Sequence, residues 1–295
     1  MLPSPTPVPA TIPCADGVQL AAELWVPDGP ARGVVQLNPA TGATRAYYRP
    51  FAQFLSGHGF VVCLYDYRGS SGSAPPSLRG CTYRFLDYGT LDMPAVLDWL
   101  DAHFAGLPKY IVGHSVGGQQ VGFMHNHYKI KGMVTMASAT GYWGYMPPGY
   151  RLKTHYFFHL FSPLSHALAG YNAGRRFGIM EDLPRRVVTE WRAWCSVPDY
   201  FFDPRFFGKT VPTGFFDALT FPIRVYWTTD DPIANRESVP RFWCHVRSTS
   251  GIELVRLTPA QVKASAIGHF GFFRRAFANT IWQMILNDLA VMEHE

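Results

Sequence analysis

Short apolar runs alternate with stretches of helical spacing along most of the chain. Runs such as 60–65 and 223–228 show no polar–apolar alternation, which is typical of strands buried on both faces of a sheet. The predicted strands are 18–26, 33–37, 60–65, 109–112, 132–136, 223–228 and 253–257. The predicted helices are 47–56, 88–104, 116–127, 154–169, 183–195, 239–246 and 272–292. Strands and helices in this order predict βαβ units and a mostly parallel sheet.

The alternation stops near Gly141 and returns only after Phe216. The residues between them are rich in Tyr, Phe, Trp, Pro and Gly, and they show no clear strand pattern. We therefore predict an α/β core whose first part is 1–140 and whose second part is 217–295. Residues 141–216 are predicted to form a helical lid inserted between the two parts.

Composition and charge narrow the class of protein. The chain has 295 residues, of which 47% are hydrophobic, and this share is ample for a packed core. The net charge of +5 comes from scattered bases, and a nucleic-acid binder would concentrate them on one face. The five cysteines include no CxxC pair, so we expect free thiols.

Met1 to Thr11 lacks the features of a secretory signal, and no apolar run is long enough to span a membrane. The pattern predicts a cytoplasmic protein with no membrane span.

The clearest chemical signal is the pentapeptide Gly113-His114-Ser115-Val116-Gly117. An apolar run precedes it and a helical pattern follows it, which is the context in which a G-x-S-x-G sequence carries a nucleophile. The glycines leave room for a tight turn, and the helix N-terminus favours negative charge beside the serine. Ser115 is therefore the predicted nucleophile.

A serine needs a base, usually a histidine held by a carboxylate. In proteins with this turn the acid and then the histidine follow the nucleophile along the chain, so His245, His269 and His294 fit the order. His269 is preferred because it lies between glycines in a predicted loop before the closing helix. The acid is expected after the strand 223–228, where Asp231 is preferred and Asp230 is the alternative.

Two backbone N–H groups are expected to bind the oxyanion of the tetrahedral intermediate. One belongs to Val116, the residue after the nucleophile. The other is expected in the loop that follows the strand 33–37. Pro39 has no N–H, so Ala40 is the first choice and Thr41 the second.

Other polar residues are interpreted as structural. Asp66 and Arg68 are expected to form a turn network, and His114 is expected to hydrogen-bond behind the nucleophile. His155 and His159 have the spacing of zinc ligands on a helix, but no third ligand is evident. We therefore predict no metal site and no cofactor.

Together these segments resemble the α/β-hydrolase superfamily. Beyond the three predicted catalytic positions, the resemblance includes Asp66-Tyr67-Arg68-Gly69 and the loop 229–233. More narrowly, the chain is similar to serine-aminopeptidase-like predicted hydrolases, through 38–42, 191–195 and 268–274. The resemblance implies a sheet of about eight strands with a helical lid over the catalytic cavity.

The expected activity is hydrolysis of a small-molecule ester or thioester through an acyl-enzyme on Ser115. An acyltransferase or cyclase that uses the same acyl-enzyme is the alternative. A non-catalytic receptor or scaffold of the same fold is a further alternative, which predicts that a member of the triad is lost. Neither the identity of the acyl group nor the oligomeric state follows from the sequence.

Overall fold

An eight-stranded sheet forms the centre of the protein in the computed structural model, which describes residues 7–294. Residues 1–6, which begin the stretch examined for a secretory signal, lie outside the described residues. The strands are β1 (Val8–Pro13), β2 (Gln19–Trp25), β3 (Gly33–Asn38), β4 (Phe60–Tyr65), β5 (Lys109–His114), β6 (Ile130–Met136), β7 (Ile223–Thr228) and β8 (Ile252–Leu257). Their order across the sheet is β1-β2-β4-β3-β5-β6-β7-β8. The pairs β1–β2 and β2–β4 are antiparallel, whereas β4–β3 and all later pairs are parallel.

The central strands have no polar face because helices or loops cover both sides of the sheet. Every residue of β3, β4 and β5 is buried, which explains the unbroken apolar sequence of β4. The other two strands also bury polar residues, Gln36 and Asn38 in β3 and Lys109 and His114 in β5. The predicted fold class, an α/β-hydrolase fold with a mostly parallel sheet of about eight strands, is confirmed. In parallel strands the carboxyl ends meet at one edge, where ligands bind in open α/β sheets.

Eight α-helices accompany the strands in the described part of the chain. They are α1 (Arg49–Ser56), α2 (Met93–His103), α3 (Val116–Gln119), α4 (Pro148–Tyr156), α5 (Ser162–Ala169), α6 (Arg185–Cys195), α7 (Ser238–Trp243) and α8 (Ile281–His294). The rings of Phe51 in α1 and Trp282 in α8 meet edge to face at 5.3 Å, so these two helices pack side by side on the sheet.

Three predictions of secondary structure need correction. The helix predicted over 116–127 ends at Gln119 and is followed by a 3-10 turn at Val121–Phe123, where the backbone of Gly122 passes close to the Phe216 ring. The closing helix starts at Ile281 rather than near Phe272, after two short 3-10 turns. Strand β1 was not predicted, because its exposed edge position and prolines give it no apolar run.

Helices α4, α5 and α6 all lie between β6 and β7, as the sequence predicted for this segment. A π-helical turn at Phe157–Phe161 joins α4 to α5 without a break. Aromatic packing attaches the segment to the core, because the Trp194 ring lies 5.2 Å from the Phe85 ring. The boundaries 141 and 216, and the action of this segment as a lid, stay predictions.

The described residues contain neither a disulfide nor a helix that could span a membrane. All five cysteines are free, and Cys63 and Cys195 are buried as small apolar residues. Over residues 7–294, none of the helices combines the length and the apolar character needed to cross a bilayer.

Candidate active site

Ser115 lies on the turn that joins β5 to α3, as predicted for the nucleophile. Its φ of 54° and ψ of −114° fall in a backbone region that costs a residue with a side chain about 1–3 kcal/mol. The turn also requires glycine on its helical side. A Cβ on Gly117 would lie 2.2 Å from the Asn38 carbonyl oxygen, and one on Gly118 would lie 2.0 Å from Thr135 Oγ1. The glycines therefore allow α3 to start directly against the sheet.

Hydrogen bonds from neighbouring strands hold this strained turn in place. The Ser115 N–H donates to the Met136 carbonyl oxygen at 2.9 Å, and Ser138 Oγ donates to the Ser115 carbonyl oxygen at 2.7 Å. On the other side, Asn38 Nδ2 donates to the Gly117 carbonyl oxygen at 3.0 Å. The surrounding structure thus determines the position of Ser115, which is the condition under which backbone strain persists.

His269 and Asp231 form a hydrogen-bonded pair in the loops that follow β8 and β7. His269 Nδ1 lies 2.8 Å from Asp231 Oδ2, and an ionised carboxylate only accepts, so Nδ1 carries the proton. The second carboxylate oxygen accepts from the N–H groups of Ile233 at 2.7 Å and Ala234 at 3.0 Å. Because Asp231 is buried and both of its oxygens are engaged, the imidazole is held in one orientation with Nε2 available.

The neighbouring Asp230 has a different role in the same loop. Its carboxylate accepts from Thr228 Oγ1 at 2.6 Å and from the N–H groups of Ile267 at 2.8 Å and Gly268 at 3.1 Å. Partial burial raises the pKa of Asp230, but these hydrogen bonds outweigh it and bring the pKa below its usual value. Asp230 therefore ties the loop that carries His269 to the end of β7. Of the two acids left open by the sequence, the structure places Asp231 on the imidazole.

Ser115 and His269 line one cavity of about 640 Å³ at the carboxyl edge of the sheet. The helical segment between β6 and β7 supplies much of the other wall, and it does so with large apolar side chains. These include Met146, Tyr150, Phe157, Phe158, Ile179, Met180 and Trp191. Lys153, Arg175 and Glu181 also line the cavity. The cavity has the size and the apolar character of a small-molecule site with few polar groups.

The two predicted oxyanion donors differ in their hydrogen bonding. Val116 is the first residue of α3, where an N–H has no acceptor within the helix. Ala40 also lines the cavity, but its N–H donates to the Tyr48 hydroxyl at 2.9 Å. An oxyanion would compete with that hydroxyl for the Ala40 N–H. Thr41, the second choice, lies beside Ala40 in the same cavity wall, so the sequence alternatives stay open.

His114 lies behind the nucleophile and connects two active-site loops, in agreement with its predicted structural role. The Tyr48 hydroxyl lies 2.8 Å from His114 Nδ1, and His114 Nε2 lies 2.9 Å from the His269 carbonyl oxygen. A carbonyl only accepts, so Nε2 carries the proton and Tyr48 donates to Nδ1. Burial, and secondly the charge of His269, hold the pKa of His114 well below its usual value. His114 is therefore a neutral bridge.

Tyr48 is the residue of this site that the sequence did not reveal. Its hydroxyl accepts from Ala40 and donates to His114, so it connects the oxyanion loop to the loop of His269. In the sequence Tyr48 belongs to an aromatic helical pattern, which is indistinguishable from ordinary core packing. No signal in a single sequence separates these two roles.

Asp66 and Arg68 form ion pairs away from the cavity, as predicted for a structural network. Asp66 pairs with Arg45 and accepts from the Arg45 N–H at 2.7 Å. Arg68 pairs with the buried Asp92 at 2.6 Å and with Asp16 at 2.6 Å. Neither residue lines the cavity that contains Ser115. The network fixes the loop after β4, and removal of one partner would leave an unpaired buried charge.

The histidines with metal-like spacing have packing roles. His155 and His159 lie 5.2 Å apart between ring centroids, and both contact the Trp143 ring. His127 packs on Phe215. Residues 7–294 contain no group of three or more His, Cys, Asp or Glu side chains arranged to hold a metal ion.

Sequence comparison connects this arrangement to a known family. The family model described as "Serine aminopeptidase, S33" matches residues 29–181, which is just over half of the chain. The chain belongs to this family. The match includes the Ser115 turn and the loop of Ala40, and it ends before Asp231 and His269. The resemblance to the α/β-hydrolase superfamily and to its serine-aminopeptidase-like members is thereby confirmed.

Two curated relatives match this S33-family chain over part of its length. A monoacylglycerol lipase from Mycolicibacterium smegmatis (strain ATCC 700084 / mc(2)155) is 33% identical over 104 residues, which are 35% of each chain. A monoglyceride lipase from Homo sapiens is 25% identical over 123 residues, which are 39% of this chain and 40% of the human protein. The matched region spans well under half the length of each relative.

Solved structures show the same fold over the whole S33-family chain. A monoglyceride lipase from Saccharomyces cerevisiae, in complex with a substrate analog, superposes with a TM-score of 0.65 at 18% identity and covers 99% of both chains. An esterase from Pyrococcus furiosus gives a TM-score of 0.63 at 16% identity, covering 97% of this chain and 91% of the esterase. At these identities the likeness concerns the fold alone.

Proposed function

We propose that the protein is a serine hydrolase that cleaves carboxylic esters of lipid-like acyl groups, such as monoacylglycerols. One observation carries the proposal: the His269–Asp231 pair and the strained Ser115 turn face the same apolar cavity. The related monoacylglycerol and monoglyceride lipases support an ester substrate with a long apolar part. The apolar wall formed by the helical segment suits such an acyl chain.

The proposed reaction begins with attack of Ser115 Oγ on the ester carbonyl carbon. His269 Nε2 takes the hydroxyl proton, and Asp231 stabilises the resulting imidazolium without itself becoming protonated. The N–H of Val116 and one N–H from the Ala40–Thr41 loop bind the oxyanion. His269 then protonates the leaving alcohol as the ester C–O bond breaks, which leaves an acyl-enzyme on Ser115.

Water completes the cycle. His269 removes a proton from the water molecule, which attacks the acyl carbonyl, and the same proton returns to Ser115 Oγ as the carboxylic acid leaves. The strict requirement is that a proton acceptor stays fixed beside Ser115 throughout. The bonds that Asp231 and Asp230 make to the His269 loop support this requirement.

Hydrolysis of monoacylglycerols and of p-nitrophenyl esters of increasing chain length tests the proposal. Release of glycerol and fatty acid by the parent protein is expected, and Ser115→Ala should lower kcat by about 10⁴–10⁶-fold. Ser196→Ala, which changes an exposed serine at the end of α6, is the matched control and should be as active as the parent. Ester cleavage by Ser115→Ala at the parental rate would overturn the proposal. If the acyl group were transferred to an added alcohol instead of water, the protein would be an acyltransferase rather than a hydrolase.

A further inference from the structure

Helix α4, the π-helical turn and α5 form one continuous helical rod from Pro148 to Ala169. Large apolar side chains occur at every fourth residue along its outer side. Between 55% and 72% of each of these residues is exposed. We call this set, which consists of Leu152, Tyr156, Leu160, Leu164 and Leu168, the leucine stripe. A continuous exposed apolar surface of this kind marks an interaction site.

The rod has apolar side chains on both its inner and its outer side. Its inner side buries Phe158 together with Thr154, Ser162 and Ser165, and Phe157 also packs against the core. A surface helix of a globular protein instead turns its apolar stripe to the core and its polar side to water. The leucine stripe therefore does not stabilise the packing of the rod on the protein, and its role lies outside the folded chain.

The π-helical turn keeps the leucine stripe on one side of the rod. In an α-helix of 3.6 residues per turn, each step of four residues advances by about 40° beyond a full circle. Four such steps would carry Leu168 almost to the opposite side from Leu152. A π turn closes its hydrogen bond over five residues and so rotates less per residue, which reverses part of the drift between Tyr156 and Leu164.

Apolar side chains of the following segment lead from the rod toward the catalytic cavity. Phe161 at the end of the π turn meets the Phe177 ring edge to face at 5.4 Å, and Phe177 is itself exposed. Ile179, two residues further on, is exposed and also lines the cavity. An apolar surface thus connects the outer side of the rod with the site of Ser115.

The charged side chains of the rod itself are all basic. The sequence has no Asp or Glu from residue 102 to residue 180. After the rod come Arg175, Arg176, Glu181 and Asp182, and Asp182 Oδ1 accepts from the Arg175 N–H at 3.0 Å. The excess of cations therefore lies on the rod itself, at Arg151 and Lys153. If a second copy of the chain docked here through a two-fold axis, these cations would face their own equivalents. An anionic lipid surface would instead attract them, at about 1 kcal/mol for each basic residue near the surface.

We propose that the leucine stripe docks the protein on the surface of an anionic phospholipid bilayer. The rod lies in the plane of the interface with its leucines among the acyl chains and its cations at the headgroups. Docking in this way brings the cavity mouth to the lipid, so that an acyl ester enters without crossing water. Only the entry of an ester from the lipid into the cavity rests on the proposed function; docking itself does not.

Vesicle sedimentation with Ser115→Ala protein tests docking independently of catalysis. Binding to mixed phosphatidylcholine–phosphatidylglycerol vesicles is compared with binding to pure phosphatidylcholine vesicles. In that background, the combined changes Leu160→Ser, Leu164→Ser and Leu168→Ser should weaken binding to the mixed vesicles by about tenfold or more. Leu254→Ser changes an exposed leucine of β8 outside the leucine stripe and should bind like its parent. Arg151→Gln with Arg176→Gln should reduce the preference for the anionic vesicles.

Several results would overturn docking. Undiminished vesicle binding by the triple serine variant would do so, as would equal binding of the parent to neutral and anionic vesicles. A dimer by light scattering that the triple variant abolishes would assign the leucine stripe to a second copy instead. When the three serine changes are made in a protein that retains Ser115, it should hydrolyse soluble p-nitrophenyl esters at the same rate as the unsubstituted protein. Vesicle binding by a parent that cleaves no ester would refute the proposed function and leave docking intact.

Discussion

The two walls of the catalytic cavity are built in different ways. The sheet wall consists of loops at the carboxyl ends of β3, β5, β7 and β8, and short hydrogen bonds position each group in it. The helical wall consists of the rod 148–169 and its neighbours. It contacts the core through aromatic packing, such as Trp194 on Phe85, and through single hydrogen bonds, such as that from the Leu86 N–H to Glu190 at 3.0 Å. Ser115, Asp231 and His269 all belong to the sheet wall.

The difference indicates that the two walls have different roles. Backbone strain at Ser115 and the hydrogen bonds that Asp230 and Asp231 accept from the His269 loop require fixed neighbours, which strands supply. An acyl chain or a lipid surface requires apolar area rather than fixed hydrogen bonds, and packed helices supply that. Substitutions in the sheet wall should therefore alter the rate of chemistry, whereas substitutions in the helical wall should alter which substrates and surfaces are used.

The largest expected effect is the loss of the base. His269→Ala should lower kcat/KM for a p-nitrophenyl ester by about 10⁴-fold or more, because Ser115 then has no proton acceptor. His294→Ala, at an exposed position near the end of α8, is the matched control and should leave kcat/KM unchanged. A loss of kcat/KM of less than tenfold in His269→Ala would show that His269 is not the base.

The adjacent acids provide a sharper comparison within the sheet wall. Asp231→Asn should lower kcat by about 10³–10⁴-fold, because the amide stabilises the wrong imidazole tautomer and no imidazolium. Asp230→Asn should lower kcat by less than about tenfold, since the amide oxygen still accepts from the Ile267 and Gly268 N–H groups. Steady-state kinetics of both variants measures the ratio. Equal losses would mean that Asp230 and Asp231 share one role.

Two glycine substitutions compare the tolerance of the walls. Gly118→Ala should destabilise the protein by about 3 kcal/mol or more, because its Cβ would lie 2.0 Å from Thr135 Oγ1. Gly149→Ala in α4 meets nothing within 4 Å and should leave stability unchanged or raise it by about 0.5–1 kcal/mol. Denaturant unfolding gives both free energies. If Gly118→Ala were as stable as the parent protein, the turn would have space for a Cβ at position 118, contrary to the structure.

The smallest effect concerns pH. Native His114 stays neutral because burial lowers its pKa, whereas the unfolded chain protonates it below about pH 6.5. The unfolded state then binds more protons, so stability falls as pH decreases from about 6.5 to 5, by up to about 1.4 kcal/mol per pH unit for this group. His166, with a pKa lowered to about 4 by burial, contributes in the same direction.

His114→Gln isolates the contribution of the buried bridge. The glutamine has no titrating group, so the decline in the free energy of unfolding between pH 6.5 and 5 should be shallower than in the parent. Chemical denaturation at each pH measures the decline, and the His166 contribution is common to both proteins. An identical slope in the two proteins would contradict a neutral His114 in the native state.

The sheet wall was largely predictable because its physical requirements leave marks in the sequence. A strand buried on both faces needs an unbroken apolar run, and β4 and β7 have the bounds that their runs predict. The nucleophile turn needs glycine where a Cβ would collide. The choice between Asp230 and Asp231 was harder, since both side chains are carboxylates and only the path of the loop decides which one meets His269.

The helical wall and the connections behind the site were less predictable. Leucines at helical spacing ordinarily predict a buried side, and the same spacing here lies exposed along 152–168. Tyr48 has the sequence signature of a core aromatic, although its hydroxyl connects two loops. In both cases the decisive quantity is the direction of a side chain relative to distant parts of the chain, which local pattern does not contain.

The most direct test of the central claim is the site and rate of covalent labelling by a fluorophosphonate probe. Intact-protein mass spectrometry with peptide mapping should find one adduct, on Ser115, in the parent protein. Labelling should be slower by about 10²-fold or more in His269→Ala, because the probe requires the activated hydroxyl. An adduct on a different residue, or labelling of Ser115 at the parental rate without His269, would contradict a nucleophile and base that act together.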